Sequence, residues 1–207
     1  VWPDSDETVS LLTKAKDGED DAMHDLLERH RRSLRQMIAL RMDRALAARL
    51  DASDIIQDTL VEANRRFRDY LGNPQLPFHL WLRQIAQDRL IDAHRRHRVA
   101  QKRSVDREQS LSPPPFAEKS AWDLAAQLKD PQLTPAAATI RKEFQSRFFA
   151  TLQNLSEEDR EIVLMRHFEH LGNGEVALAL GISAPAAGMR YLRALRKLKE
   201  QLGDAGF

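Results

Sequence analysis

The sequence predicts an all-α protein: an N-terminal helical bundle and a C-terminal helix-turn-helix domain joined by a linker. Three observations carry that expectation. Apolar residues recur three and four apart through most of the chain, the spacing of one helix face, and no stretch alternates as a half-buried strand would. Breaks rich in glycine and proline cut the periodic stretches into helix-sized pieces. Between about 99 and 133 the periodicity weakens around Ser112-Pro113-Pro114-Pro115 and Lys129-Asp130-Pro131, which divides the chain into 1–98, a linker 99–133, and 134–207.

Taken in order, a short helix is expected over 8–16, stopped near Gly18. From Asp20, the residues Met23, Leu26, Leu27, Leu34, Met37, Ile38, Leu40 and Leu46 keep helical spacing. No glycine or proline interrupts them, so one uninterrupted helix is expected. Asp51 or Ser53 then offers a capping oxygen to a new helix, and Asp54 places negative charge near its N-terminal dipole. That helix carries Ile55, Ile56, Leu60, Val61 and Ala63 and fades near Tyr70. The segment LGNPQLP breaks it, with Gly72, Asn73, Pro74 and Pro77 as turn formers.

Residues 78–98, FHLWLRQIAQDRLIDAHRRHR, form a helix with two faces. Phe78, Trp81, Leu82, Ile85, Ala86, Leu90 and Ile91 make an apolar stripe; Arg83, Gln87, Arg89, Arg95, Arg96 and Arg98 lie mostly off it. A solvated arginine-rich face would show the same pattern, so this helix alone does not identify an anionic partner. With the helices before it, it completes a bundle of about four.

In the second half, a short helix is expected around 121–128 within the linker. Thr134-Pro135 then starts a helix, a hydroxyl cap followed by proline in the first turn, which continues through Ile140, Phe144, Phe148, Phe149 and Leu152. Ser156 and Asp159 resemble a capping box ahead of Ile162, Val163, Met165 and Phe168. Residues 175–180, Gly181-Ile182-Ser183 and 184–202 then read as helix, tight turn, helix. Gly181 supplies backbone freedom, Ile182 is the buried turn residue and Ser183 is the cap. Ala187, Tyr191, Ala194 and Leu198 form the inner stripe of the last helix, with Arg190, Arg193, Arg196, Lys197 and Lys199 mainly outside it. An ordinary helical hairpin is the alternative. The glycine turn, the capped second helix and its one-sided basic face favour a helix set in the DNA major groove.

Composition narrows the classes. The 207 residues are 42% hydrophobic and 30% charged, with a net charge of only +1. The distribution matters more than the sum: 4–21 is acidic, while 89–107 and 190–199 are strongly basic. Without cysteine there are no disulfides, thiolate zinc sites or cysteine nucleophiles. No apolar run is long enough for a bilayer span, and no signal peptide is visible, so a soluble cytoplasmic protein without membrane insertion is expected.

Two basic helical units joined by a proline-rich linker, with a helix-turn-helix last, resemble the extracytoplasmic-function (ECF) sigma factors of bacterial RNA polymerase. The resemblance covers roughly 11–103 and 150–202. DASDIIQDTLVEA, from Asp51, looks like the family's polymerase-binding helix. FHLWLRQIAQDRLIDAHRR, from Phe78, looks like its promoter-melting, minus-ten-reading helix. LSEEDREIVLMRHFEHL followed by EVALALGIS looks like its minus-thirty-five-reading domain. Carried onto this sequence, the resemblance implies polymerase contact by Asp54, Ile55, Gln57 and Asp58. It implies minus-ten contact by Arg83, Gln87, Arg89, Arg95 and Arg96, with Trp81 and Phe78 mainly core. It also implies capture of an unpaired base in the loop around 70–76, where Tyr70 and Asn73 are the candidates. In the helix-turn-helix it implies Ser183, Ala184, Ala186, Met189, Arg190, Arg193, Arg196 and Lys197. The linker would thread toward the polymerase active-site cleft.

The implied partners are core RNA polymerase, promoter DNA and an anti-sigma factor; no cofactor, metal or catalysis is implied. Asp88 departs from the family pattern, standing where asparagine is usual. The recognition helix begins Ala184-Pro185-Ala186-Ala187-Gly188-Met189, with almost no side chain able to hydrogen-bond a base edge. Upstream contact is therefore expected to be mainly to phosphates, with sequence choice by apolar contact or DNA shape. Leu178 is a candidate protein contact. A helix-turn-helix regulator that never binds polymerase is the nearest rival. A metal-dependent nucleic-acid enzyme using His94 and His97 is a third, disfavoured because the flanking arginines repel a cation.

Overall fold

The computed structural model describes residues 2, 3, 5–101, 124 and 138–203, and every described element is helical. Chain contacts separate two compact units, 1–111 and 112–207, with the division inside the expected linker. The helix start at Thr134 and most of the expected linker helix lie outside the described residues; Leu124 is helical and buried.

In the first unit, α1 (Ser5–Lys16) ends where Gly18 turns to φ +88°. There the Gly18 and Glu19 N–H groups close back on the Ala15 and Lys14 carbonyls at 3.3 and 3.1 Å. The helix expected to run from Asp20 to Leu46 is instead two: α2 (Asp20–Ala39) and α3 (Arg44–Ala47). Neither glycine nor proline makes the break. The Asp43 carboxylate accepts from the Leu46 N–H at 2.8 Å and caps a new helix start, while Arg41 donates to the Met37 carbonyl at 2.9 Å. Leu40 and Leu46 are both buried, so the apolar spacing persisted across a corner.

The next helix, α4 (Ala52–Gly72), begins as expected, and of the two cap candidates Asp51 is the cap. Asp51 accepts from the Ser53 N–H at 2.8 Å, and Asp54 accepts from the Asp51 N–H at 3.1 Å, a reciprocal box built from two aspartates. The last helix of the unit, α5 (Phe78–Gln101), packs on α2, α3 and α4. The shared core includes Leu26, Leu34, Met37, Ile56, Phe67 and Leu82. Phe78 is its aromatic hub, with His30, Tyr70 and Trp81 ring centroids at 5.0, 5.6 and 5.4 Å. Burial of these rings, together with Leu82, Ile85 and Leu90, holds α5 across the bundle.

In the second unit, α6 (Ala138–Asn154) contributes Phe148 and Leu152 to the core. Ser156 caps α7 (Glu157–Val163) by accepting from the Asp159 N–H at 3.3 Å. The chain then widens into a π-helical turn over Leu164–Phe168, closed by the Glu169 N–H on the Leu164 carbonyl at 3.0 Å. His170, at φ 58°, ends the turn and redirects the chain into α8 (Asn173–Leu180). After Gly181, α9 (Ala184–Gly203) closes the unit, burying Ala187, Ala194, Leu198 and Leu202.

Candidate nucleic-acid interface

In the first half of α4, Asp54, Gln57, Asp58 and Val61 share an outward face at spacings of three and four and are all exposed. Ile55 is not among them: at 2% exposure it is core, which corrects its expected place in a polymerase contact. Val61 is the reverse case. Although it belongs with the apolar residues of the helix by type, it is 69% exposed, on the same face as Asp58 and Gln57. A helical wheel counted from Asp54 would have found it. Asp54 already serves the cap, so its carboxylate is held in place before any partner arrives.

Between α4 and α5 lies an open cleft of about 420 Å³ whose walls include Asp58, Val61, Glu62, Arg89 and Arg96. Its charges are largely paired. Arg96 reaches Asp58 at 3.7 Å, Arg89 reaches Asp92 at 3.3 Å, and Arg65 and Arg66 both hold Glu62. The hydrogen bond from Arg65, followed by that from Arg66, holds the Glu62 carboxyl below its ordinary range. Both Asp58 and Arg96 are well exposed, so their mutual attraction is weak and yields readily to a better partner.

The face of α5 differs from its sequence reading at several positions. Arg83 is 4% exposed, so it is turned into the unit rather than toward a ligand. Helix α5 packs on three neighbours, and its buried positions spread wider than one stripe: Leu80 is also buried. Ile91, expected in the stripe, is 54% exposed. Gln87 is half-buried with its amide oxygen covered and unpartnered, Arg89 is half-buried, and Arg95 and Arg96 are exposed. The exposed basic surface of α5 is therefore its C-terminal half.

In the preceding loop the two base-capture candidates part company. Tyr70 is 7% exposed, stacks at 4.5 Å on Trp81, and donates its hydroxyl to the Leu76 carbonyl at 3.1 Å. Burial raises its phenol above the usual range. Tyr70 thus pins the loop from beneath and offers no stacking face. Asn73 is exposed, with its side-chain oxygen accepting from Gln75 at 2.6 Å.

In the second unit, the Glu175 carboxylate accepts from the Gly172 N–H at 2.6 Å and fixes the start of α8. Gly181 then takes φ +64°, and the Ile182 N–H returns to the Ala177 carbonyl at 3.0 Å, a left-handed closure that a residue with a Cβ reaches only with strain. Ile182 is half-buried rather than fully buried. Ser183 caps α9 by accepting from the Ala186 N–H at 3.3 Å, and Asn173 donates to the Ala184 carbonyl at 2.7 Å, tying the second helix to the first.

The cations of α9 fall into two sets. Arg190 pairs with Glu158 at 3.4 Å, and Lys197 pairs with the buried carboxylate of Asp159 at 2.5 Å. Burial pushes the Asp159 carboxyl up, but hydrogen bonds from Lys197 and Ser156 outweigh it and leave it below its ordinary range. Lys197, expected on the DNA face, is therefore a clamp between α9 and α7, and Asp159 faces it instead of completing a capping box. Arg193, Arg196 and Lys199 remain exposed, as do Ala184, Ala186 and Met189. Tyr191 is half-buried under Arg166, whose guanidinium lies 5.3 Å from the ring centre.

Most of the helix-turn-helix segment lies in a match, over 146–198, to the family model described as "Sigma-70, region 4". RNA polymerase sigma factor CarQ of Myxococcus xanthus is 30% identical over 195 residues, spanning 93% of this chain and 96% of that protein. The chain belongs to the ECF sigma factors. RNA polymerase sigma factor NccH of Alcaligenes xylosoxydans xylosoxydans is 27% identical, covering 91% of each chain. The fold is that of other sigma factors. The structure of CnrH in complex with the cytosolic domain of CnrY gives a TM-score of 0.60 at 24% identity, over 99% of this chain and 100% of that one. RpoE from Bartonella quintana, in complex with the anti-sigma factor NepR, gives 0.58 at 20% identity, over 88% and 98%. No described helix is long and apolar enough to cross a membrane. Among the described residues no group of three or more His, Cys, Asp or Glu could hold a metal ion; His94 instead pairs with Asp43 at 3.5 Å, and His97 is buried.

Proposed function

We propose that this sigma factor binds bacterial core RNA polymerase through the outward face of α4, and holds promoter DNA with α5 and α9. Residues 1–98 act as the polymerase- and minus-ten-binding domain, 99–133 as the linker, and 134–207 as the minus-thirty-five-binding domain. The observation that carries this reading is the second unit's glycine-closed, serine-capped helix pair, with Arg193, Arg196 and Lys199 exposed on the outer helix.

On α4, Asp54, Gln57, Asp58 and Val61 present two carboxylates and an amide around one apolar contact, a face suited to arginines of a partner helix. On α5, Arg95 and Arg96 meet backbone phosphates, with Arg89 and Gln87 at the inner edge. Asn73 provides edge hydrogen bonds to a base that has left the duplex. Melting needs no bond-making chemistry: contacts available only to an unpaired strand draw the equilibrium toward the open form. The protein acts in the cytoplasm as a regulatory subunit, without catalysis of its own. An anti-sigma factor is a further partner, by analogy with the complexes of CnrH with CnrY and of RpoE with NepR.

Run-off transcription with purified core polymerase, followed by start-site mapping, tests the reading. Specific transcripts that disappear with Asp54→Ala/Asp58→Ala are expected. Duplex binding with no polymerase binding would reduce the protein to a helix-turn-helix regulator.

A further inference from the structure

The outward face of α9 changes character along its length. Pro185, Met189 and Leu192 follow one another at four and three residues and are exposed, Met189 by 65% and Leu192 by 56%. Arg193 and Arg196 continue the face at the same spacing. The first two turns hold no outward side chain that can donate to or accept from a base edge. The first polar residue, Arg190, is half-buried and tied to Glu158 at 3.4 Å. The end of the helix that enters a major groove first is therefore apolar, and the end that meets the backbone is cationic.

The major-groove edge of DNA offers one apolar group, the 5-methyl of thymine. Resting on the sigma-factor reading above, we propose that Met189, flanked by Ala186 and Leu192, selects thymine in the upstream promoter element by packing against its 5-methyl group. From Pro185 to Met189 the helix rises about 6 Å, the span of about two base-pair steps, so the apolar segment covers a short run of adjacent pairs. Charge decides the occupant. From Ala184 to Lys199 the helix carries no carboxylate, and the apolar segment runs directly into exposed arginines. A polyanion that also presents methyl groups matches both halves, whereas an apolar protein surface matches only the first. The capped, Asn173-tethered start of α9 holds Met189 at a fixed height, so the contact reports base identity rather than general stickiness.

The test uses holoenzyme assembled from core polymerase and the full chain, on a promoter located by start-site mapping. Each thymine of the upstream element is replaced by deoxyuridine, which removes only the methyl. Burial of one methyl predicts about a fourfold loss of holoenzyme affinity at each contacted position. Replacing that T·A pair by 5-methylcytosine·G should leave binding about fourfold tighter than unmethylated C·G. Met189→Ala should erase the thymine–uracil difference, and Leu178→Ala, on α8, should leave it intact. An active holoenzyme indifferent to deoxyuridine overturns the assignment, as does an upstream element without thymine. Met189→Ala weakening all templates equally, with discrimination retained, makes the residue structural and also overturns it. Loss of core binding by Met189→Ala without DNA would identify a protein contact instead. Failure of the unmodified protein to transcribe any template counts against the sigma-factor reading itself and is read before any deoxyuridine template is used.

Discussion

Replacing Lys197 by methionine should weaken the fold and leave DNA binding almost untouched, contrary to what a basic residue on a recognition helix suggests. The Lys197 ammonium lies 2.5 Å from a carboxylate oxygen of Asp159, whose side chain is 7% exposed while that of Lys197 is 46% exposed. Removing one member of a fully desolvated pair costs about 3–5 kcal/mol. Water at the exposed lysine position re-solvates part of the stranded carboxylate, which lowers the expected cost to about 1–2 kcal/mol. For a helical unit of this size that is a fall in Tm of roughly 5–15 °C, read by circular dichroism on the full chain.

The Asp159 carboxyl is held low by its hydrogen bonds, so its contribution is present above the ordinary carboxylate range and lost as pH falls through the folded value. Lys197→Met should remove that part of the acid sensitivity. Asp159→Asn combined with Lys197→Met should recover about 1 kcal/mol, because no buried charge remains. In parallel, the slope of log affinity against log salt should fall by about 0.9 for Arg196→Ala and stay unchanged for Lys197→Met. An unchanged Tm together with a slope reduced by about 0.9 for Lys197→Met would refute the clamp and return the residue to the DNA face.

The first unit gives further outcomes at His30, Tyr70, Asn73 and Val61. His30 is fully buried, its Nδ1–H donates to the Leu26 carbonyl at 2.8 Å, and burial, against that hydrogen bond, lowers its pKa from 6.5 to about 4. The unfolded chain therefore binds the extra proton first, so stability should fall as pH drops from 6.5 toward 4, by up to about 3 kcal/mol at 1.36 kcal/mol per unit. His30→Leu should flatten that part of a pH-dependent denaturation series. Tyr70→Phe should lose the Leu76 hydrogen bond and about 1 kcal/mol of stability in urea unfolding, while Asn73→Ala should leave stability alone and slow promoter opening. Val61→Ser should reduce core polymerase affinity about tenfold in a binding titration with no change in Tm, since the side chain is exposed.

Much of the fold was legible because the signals lie within four residues of each other. The helix start at Asp51, the Gly18 and Gly181 stops, the Ser183 cap and the inner stripe of α9 are local interactions, and each stands where the pattern put it, whereas the return bond from the Asp51 N–H to Asp54 that completes the box appears only in the structure. The corner at Leu40–Asp43 was missed because leucine spacing continues across it, and Asp43 gives no sign of capping until Leu46 folds back on it. The recognition helix itself, down to its apolar opening, could be read from residue order alone.

What the amino-acid sequence determined by itself is therefore the location of most helices, the helix-turn-helix and the family. What tertiary structure decided is which polar groups are left over for a partner. Arg83 and Tyr70 went inward, Lys197 and Arg190 found carboxylates on α7, and Val61 and Met189 stayed outside. Periodicity assigns a residue to a side of its own helix, but the depth of that side, and the charge waiting there, belong to whichever helix packs against it.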